Sequence, residues 1–149
     1  MIVLSQFMPK MAEKAKPIIA LLKKTAHFNW DDNCEHTFLE LKIFLVSLPV
    51  IQKPVPDKPI LVYLSVSKEA INSVFVQDIE VEQRHVYFVS RMLQETEPRY
   101  QMIEKVALAL VTMARRMRVY FQNHLVVIKT DYPIVKVLGK PDLVGRIVR

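Results

Sequence analysis

Residues 60–66 read Ile-Leu-Val-Tyr-Leu-Ser-Val, a run of apolar, β-branched and aromatic residues broken only by Ser65. Such a run, bounded by Pro59 on one side and Ser67-Lys68 on the other, predicts a strand buried on both faces of a sheet. Residues 72–77 and 85–90 have the same strand composition and follow after short connections, which predicts an antiparallel meander of three strands. The periodicity then changes from two to 3.6. From Tyr100 to Phe121, residues Met102, Ile103, Val106, Ala107, Leu110, Ala114, Met117 and Phe121 form a wide apolar stripe, and a long packed helix is expected. A fourth strand follows over 125–129, and Pro133 to Leu138 would open a short helix closed by Gly139. A strand that returns through a helix lies parallel to an earlier strand by a right-handed crossover, so the fourth strand is expected beside the first. The fold class is therefore α/β (α+β): a mixed sheet of three antiparallel strands, a crossover helix, a parallel fourth strand and a final helix. In open sheets of this kind the chemistry gathers at the carboxyl ends of adjacent parallel strands, here Ser65 and Asp131.

Upstream, Pro49, Pro54, Pro56 and Pro59 exclude helix or central strand over 48–60, and a linker is placed there. Two helical patterns precede it. In residues 10–24, Met11, Ala15, Ile18 and Leu22 recur at helical spacing, with Pro17 either kinking the helix or starting its second half. Lys10, Lys14, Lys16, Lys23 and Lys24 flank this stripe. The second pattern, Cys34, Phe38, Leu41, Leu45 and Leu48, alternates by four and three after Asp31 and Asp32, either of which can cap the exposed amides. Trp30 is expected on the same face. The division is into residues 1–55 and 56–149.

Composition narrows the function classes. The chain has 149 residues, 51% hydrophobic and 24% charged, the balance of a folded globular domain. Its net charge of +6 favours phosphate-bearing partners without demanding them. The longest uncharged apolar stretch, residues 106–114, falls far short of the roughly 20 that span a bilayer. No membrane association is expected, nor does the start of the chain read as a secretory signal, which suggests an intracellular protein. Only two glycines occur, Gly139 and Gly145, which excludes Gly-rich phosphate loops. Cys34 stands alone, and His27, His36, His85 and His124 have no zinc-like spacing.

Several residue patterns are similar to those of a known family. Phe28, Trp30, Cys34, Glu35, Phe38, Leu41, Lys42, Leu45, Pro49 and Val50, preceded by Lys16-Pro17, resemble the thumb and connection helices of gypsy-type long-terminal-repeat retrotransposon reverse transcriptases. Ser90-Arg91, Leu93, Glu97, Tyr100 and the end Thr130-Asp131 with Pro133 resemble the ribonuclease H domain of the same Pol polyproteins. The resemblance implies helical thumb/connection elements followed by a ribonuclease H-like domain that stops short of its C-terminal part. It also implies remaining portions of a Pol polyprotein as partners, and an RNA–DNA hybrid or template-primer as a weakly held ligand.

Ribonuclease H chemistry needs two magnesium ions about 4 Å apart, held by converging carboxylates. The family's first acid falls on Ser65, within Ser65-Val66-Ser67-Lys68, where a cation also replaces a second acid; its helix glutamate falls on Val106. Glu104 lies about 200° round the helix from Val106 and points away. Asp131 alone matches a catalytic position, and the last ligand would lie beyond Arg149. No metal or other cofactor is expected, magnesium entering only if the chain is a nuclease after all. A cap for the helix opening at Pro133 is the expected role of Asp131, ahead of that of a surviving metal ligand.

The resemblance thus implies a non-catalytic spacer. The alternatives are an active nuclease, with acids such as Asp78, Glu80 and Glu82, or a host-adapted module that buries its first two helices against another protein. The candidate phosphate contacts are Lys10, Lys14, Lys23 and Lys24 on the first helix and Arg115, Arg116 and Arg118 on the long helix, beside Lys105. A solvated face near a helix C-terminus would equally favour those arginines. Tyr63, Phe75, Tyr87 and Phe88 could stack bases, but strand packing also accounts for them.

Overall fold

A computed structural model describes residues 8–22 and 28–134. Two short helices, α1 (Met11–Lys14) and α2 (Lys16–Leu21), are followed by α3 (Asp32–Val46). Next come three strands, β1 (Ile60–Val66), β2 (Ala70–Ile79) and β3 (Glu82–Met92), and a single 3₁₀ turn, Glu97–Arg99. Helices α4 (Met102–Arg116) and α5 (Arg118–Asn123) lead to β4 (Val126–Lys129). The sheet order is β3-β2-β1-β4. Strand β1 pairs antiparallel with β2 and parallel with β4, Ile60 opposite Val126 and Tyr63 opposite Lys129, so the expected crossover is present.

Burial within β1 departs from expectation. Ile60 and Val62 are fully buried, whereas Tyr63 is 42% exposed and Ser65 is also open. The face carrying Ile60 and Val62 packs with Phe75, Val86 and Val89 against Met113 and Met117. Among the described residues, α1 lies on the opposite face, where the Ala12 N–H meets Ser90, and the alternate residues Tyr63 and Ser65 of this apolar strand stay open.

The long helical stretch divides at Met117, whose backbone (φ −108°, ψ 27°) leaves the helical region. A second cluster, Ile71, Leu93, Ala107, Leu108 and Ala109, fills the space under the first half of α4. Pro17 opens α2, where its missing N–H is harmless.

Asp31 is the cap of α3: its carboxylate accepts the Cys34 backbone N–H at 2.8 Å. That bond holds the Asp31 pKa below the ordinary carboxylate value, and the same carboxylate, followed by burial, pushes the Cys34 thiol up. The inward face of α3 is Cys34, Thr37 and Leu41, with Phe44 and Leu48 partly covered by Met8, Met11 and Ala15. Phe38 and Leu45, expected inside, are 40% and 39% exposed. Phe38 instead meets Trp30 edge-on at 5.9 Å between centroids, and Trp30 donates its indole N–H to Glu35 at 2.7 Å. Glu35 is thus held by an aromatic residue outside the helix.

The proline-rich linker is fixed by a residue that the strand pattern conceals. Gln77 is buried near the end of β2; its side-chain oxygen accepts from Val55 N at 2.7 Å, and its Nε2 donates to the carbonyls of Val55 and Lys58 at 3.1 and 3.0 Å. A single amide therefore satisfies three backbone groups of a segment that has few partners of its own. Replacing Gln77 with Ala is expected to cost about 2–4 kcal/mol in urea unfolding and to expose residues 53–58 to proteolysis. An unchanged unfolding midpoint would show that the clamp does not hold the linker.

Candidate functional site

The carboxyl end of the parallel pair is the place to look for chemistry, and the structure brings Ser65 and Asp131 there. Ser65 lies one residue before the end of β1, and Asp131 follows β4 by two residues. Asp131 is exposed and, among the described residues, makes no hydrogen bond; in the same bend it is Thr130 Oγ1 that accepts the Tyr132 N–H at 3.3 Å. The helix expected beyond Pro133 lies outside the described residues from 135 onward, as do Lys23, Lys24 and His27.

Val106, the residue expected to replace the family's glutamate, is 1% exposed in the second turn of α4. Glu104 is engaged elsewhere, accepting the backbone N–H of Gln101 at 2.9 Å and so closing the helix N-terminus. Lys105 does not share the solvated face expected for it. It is 4% exposed, and its Nζ donates to the Lys68 carbonyl at 3.2 Å, which anchors α4 to the turn between β1 and β2. Among the described residues, no three His, Cys, Asp or Glu side chains lie together in a group that could hold a metal ion. Asp78, Glu80 and Glu82 are exposed along the β2–β3 hairpin, with Asp78 accepting from Gln83 at 2.9 Å. The histidines are scattered: His85 stacks on Phe88 at 5.5 Å, His36 lies 3.6 Å from Glu40 and His124 packs beside Tyr120.

The candidate phosphate contacts differ in their freedom. Arg115, Arg116 and Arg118 are exposed around the break between α4 and α5. Arg115 and Arg116 line an open groove of about 510 Å³ with Arg91, Glu97, Leu108 and Thr112. Lys10 is exposed, whereas the Lys14 ammonium sits 3.5 Å from the centre of the Phe44 ring and is held there as a cation–π pair. Of the aromatics, Phe75 and Phe88 are buried, Phe75 meets Tyr87 edge-on, and Tyr63 alone of the four lies largely open.

Reasoning from the sequence missed the pair that gives the Arg91–Glu97 pattern its meaning. Arg91 Nη2 reaches both Glu97 oxygens at 2.8 and 2.9 Å, and Glu97 also accepts the Gln94 N–H at 2.8 Å. One half-buried carboxylate thus ties the end of β3 to the turn that launches α4. Opposite charges six residues apart, with Pro98 directly after the second, were the available signal.

A four-stranded mixed sheet of order β3-β2-β1-β4 with a crossover helix is the architecture of a ribonuclease H-like domain. The family of RNase H-like domains found in reverse transcriptases matches residues 30–128, and the chain belongs to it. The chain is 27% identical over 127 residues to the retrovirus-related Pol polyprotein from transposon 412 of Drosophila melanogaster, covering 85% of this chain and 10% of that protein. It is 26% identical over 145 residues to the transposon Tf2-3 polyprotein of Schizosaccharomyces pombe, covering 97% of this chain and 10% of that one. The chain therefore spans about a tenth of the length of these curated relatives. In fold it is similar to the foamy viral protease-reverse transcriptase in complex with an RNA/DNA hybrid, with a TM-score of 0.69 at 17% identity, over 98% of this chain and 21% of that one. A double-stranded DNA complex of the foamy viral enzyme gives a TM-score of 0.70 at 18% identity, over 93% and 25%.

Val106 is part of the packed interior. Val106→Glu should therefore lower stability by about 3 kcal/mol or more in thermal or urea unfolding, through lost apolar burial and desolvation of the carboxyl, with no recovery on adding magnesium. Magnesium-dependent restabilisation of that variant would show that the acid still points into a metal site.

Proposed function

We propose that this chain is a non-catalytic, connection-like module of a gypsy-type retrotransposon Pol polyprotein, spacing other portions of that protein and touching nucleic acid only weakly. The observation that carries this reading is the identity of the residues at the three catalytic positions: a serine, a buried valine and one solitary exposed aspartate. Two divalent ions bring four positive charges, and at the distances of a two-metal centre their repulsion must be offset by converging anionic oxygens. Asp131 supplies one negative charge. Lys68 and Lys105 add positive charge beside the neighbouring strand end. The residues present do not fit a two-magnesium site.

The weak nucleic-acid contact rests on Arg115, Arg116 and Arg118, which are exposed and close together along the chain. The foamy viral structures of similar fold are complexes with an RNA/DNA hybrid and with double-stranded DNA, which makes a duplex the probe to use.

A labelled RNA–DNA hybrid incubated with the chain in magnesium or manganese is expected to stay intact. In the same samples, hybrid binding should weaken steeply with salt, and an Arg115→Ala/Arg116→Ala variant should show a shallower salt dependence. Cleavage that Asp131→Asn abolishes would contradict the reading, and a salt slope unchanged in the arginine variant would remove the proposed contact.

A further inference from the structure

Ser65, Asn72 and Ser90 stand level across β1, β2 and β3. They form the row in which the family's first acid would sit. Asn72 and Ser90 are buried, while Ser65 at the β4 side stays exposed. What lies on this row is α1. The Ala12 backbone N–H donates to Ser90 Oγ at 2.9 Å, and Ser90 Oγ in turn donates to Asn72 Oδ1 at 2.7 Å.

Contacts continue into the turn that follows β1. Ser67 Oγ donates to the Glu13 carboxylate while accepting the Ala70 backbone N–H at 3.0 Å. Two residues further on, the Lys16 ammonium reaches both oxygens of Glu69 at 2.5 and 2.6 Å. Met11 and Ala15 of the same segment are buried, 4% and 0% exposed, so the polar pairs border an apolar contact.

From these placements we infer that Ser67, inside the 65–68 motif, and Glu69, which follows it in the β1–β2 turn, form a docking clamp for the helical segment 11–16, fixing how that segment meets the sheet. Its chemistry is that of a paired latch: a hydroxyl facing a carboxylate, and a carboxylate facing an ammonium, four sequence positions that match in only one register of the segment on the turn. A latch of this kind and a metal centre compete for the same ground. With Glu13 committed to Ser67 and Glu69 to Lys16, the two acids nearest the turn are already paired. The inference rests on the reading above only in taking residues 65–68 as the site of the lost acids.

Amide exchange of the full chain tests it, with Ala12 as the reporter because its N–H is bonded directly to Ser90, and with Val76 and Phe88 as reporters of the sheet. Lys16→Glu and Glu69→Lys should each speed exchange at Ala12 by about two- to five-fold, the range of a half-exposed ion pair, and the double charge swap should restore it. Ser67→Ala, a smaller change in the same turn, should speed Ala12 without altering the sheet. Unchanged exchange at Ala12 in the single variants, failure of the swap to restore it, or acceleration of Val76 and Phe88 in step with Ala12 would each overturn the clamp. None of these outcomes bears on hybrid cleavage, so the clamp and the non-catalytic reading fail separately.

Discussion

Strand β1 is hydrogen-bonded on both edges, antiparallel to β2 and parallel to β4, and this double pairing dictates most of the molecule. A parallel neighbour cannot be reached by a tight turn, so the chain between β3 and β4 must cross over the sheet, and α4 with α5 is that crossover. The crossover needs an apolar underside, which Val106, Ala107, Met113 and Met117 provide. The same pairing sends the ends of β1 and β4 to one side of the domain, which brings residues 65 and 131 to that end whatever their identity. The placement of these two positions is thus set by the strand pairing and not by the residues that occupy them.

Placement without charge is the basis of the functional reading. A carboxylate in a metal centre is tolerated because the ion neutralises it; without the ions, clustered acids repel one another and lose solvation. Once the acids are replaced, each position answers to ordinary folding physics. Val106 joins the core, Glu104 closes the start of α4, and Lys105 binds a turn carbonyl. Glu13 and Glu69, the acids that remain near the turn, are held by a hydroxyl and an ammonium.

Much of this was legible in the residues because it rests on local rules. The limits of β1 follow from Pro59 and the polar turn after Val66, and the parallel placement of β4 follows from the handedness and length of its connection. What escaped the sequence depends on long-range partners. Phe38 and Leu45 fall on a helical stripe, yet the surface that α1 and α2 offer to α3 is narrow and takes in Thr37 in their place. Lys105 reads as part of a basic face until the backbone of residue 68 is seen to receive it. Gln77 sits among strand residues without revealing that the backbone of Val55 and Lys58, between the prolines of the linker, supplies its partners. At the candidate site, the placement of residues 65 and 131 at one end of the sheet was readable from the strand order, while the occupation of the Ser65–Asn72–Ser90 row by α1 was not, because 78 residues separate Ala12 from Ser90.

The account turns on whether this end of the sheet can hold a pair of divalent ions. Manganese titration followed by electron paramagnetic resonance measures that directly, with Asp131→Asn as the reference. The prediction is that at millimolar manganese the chain shows no spin-coupled pair of ions and binds no more metal than the Asp131→Asn variant. A coupled pair of bound ions that disappears in that variant would contradict the account.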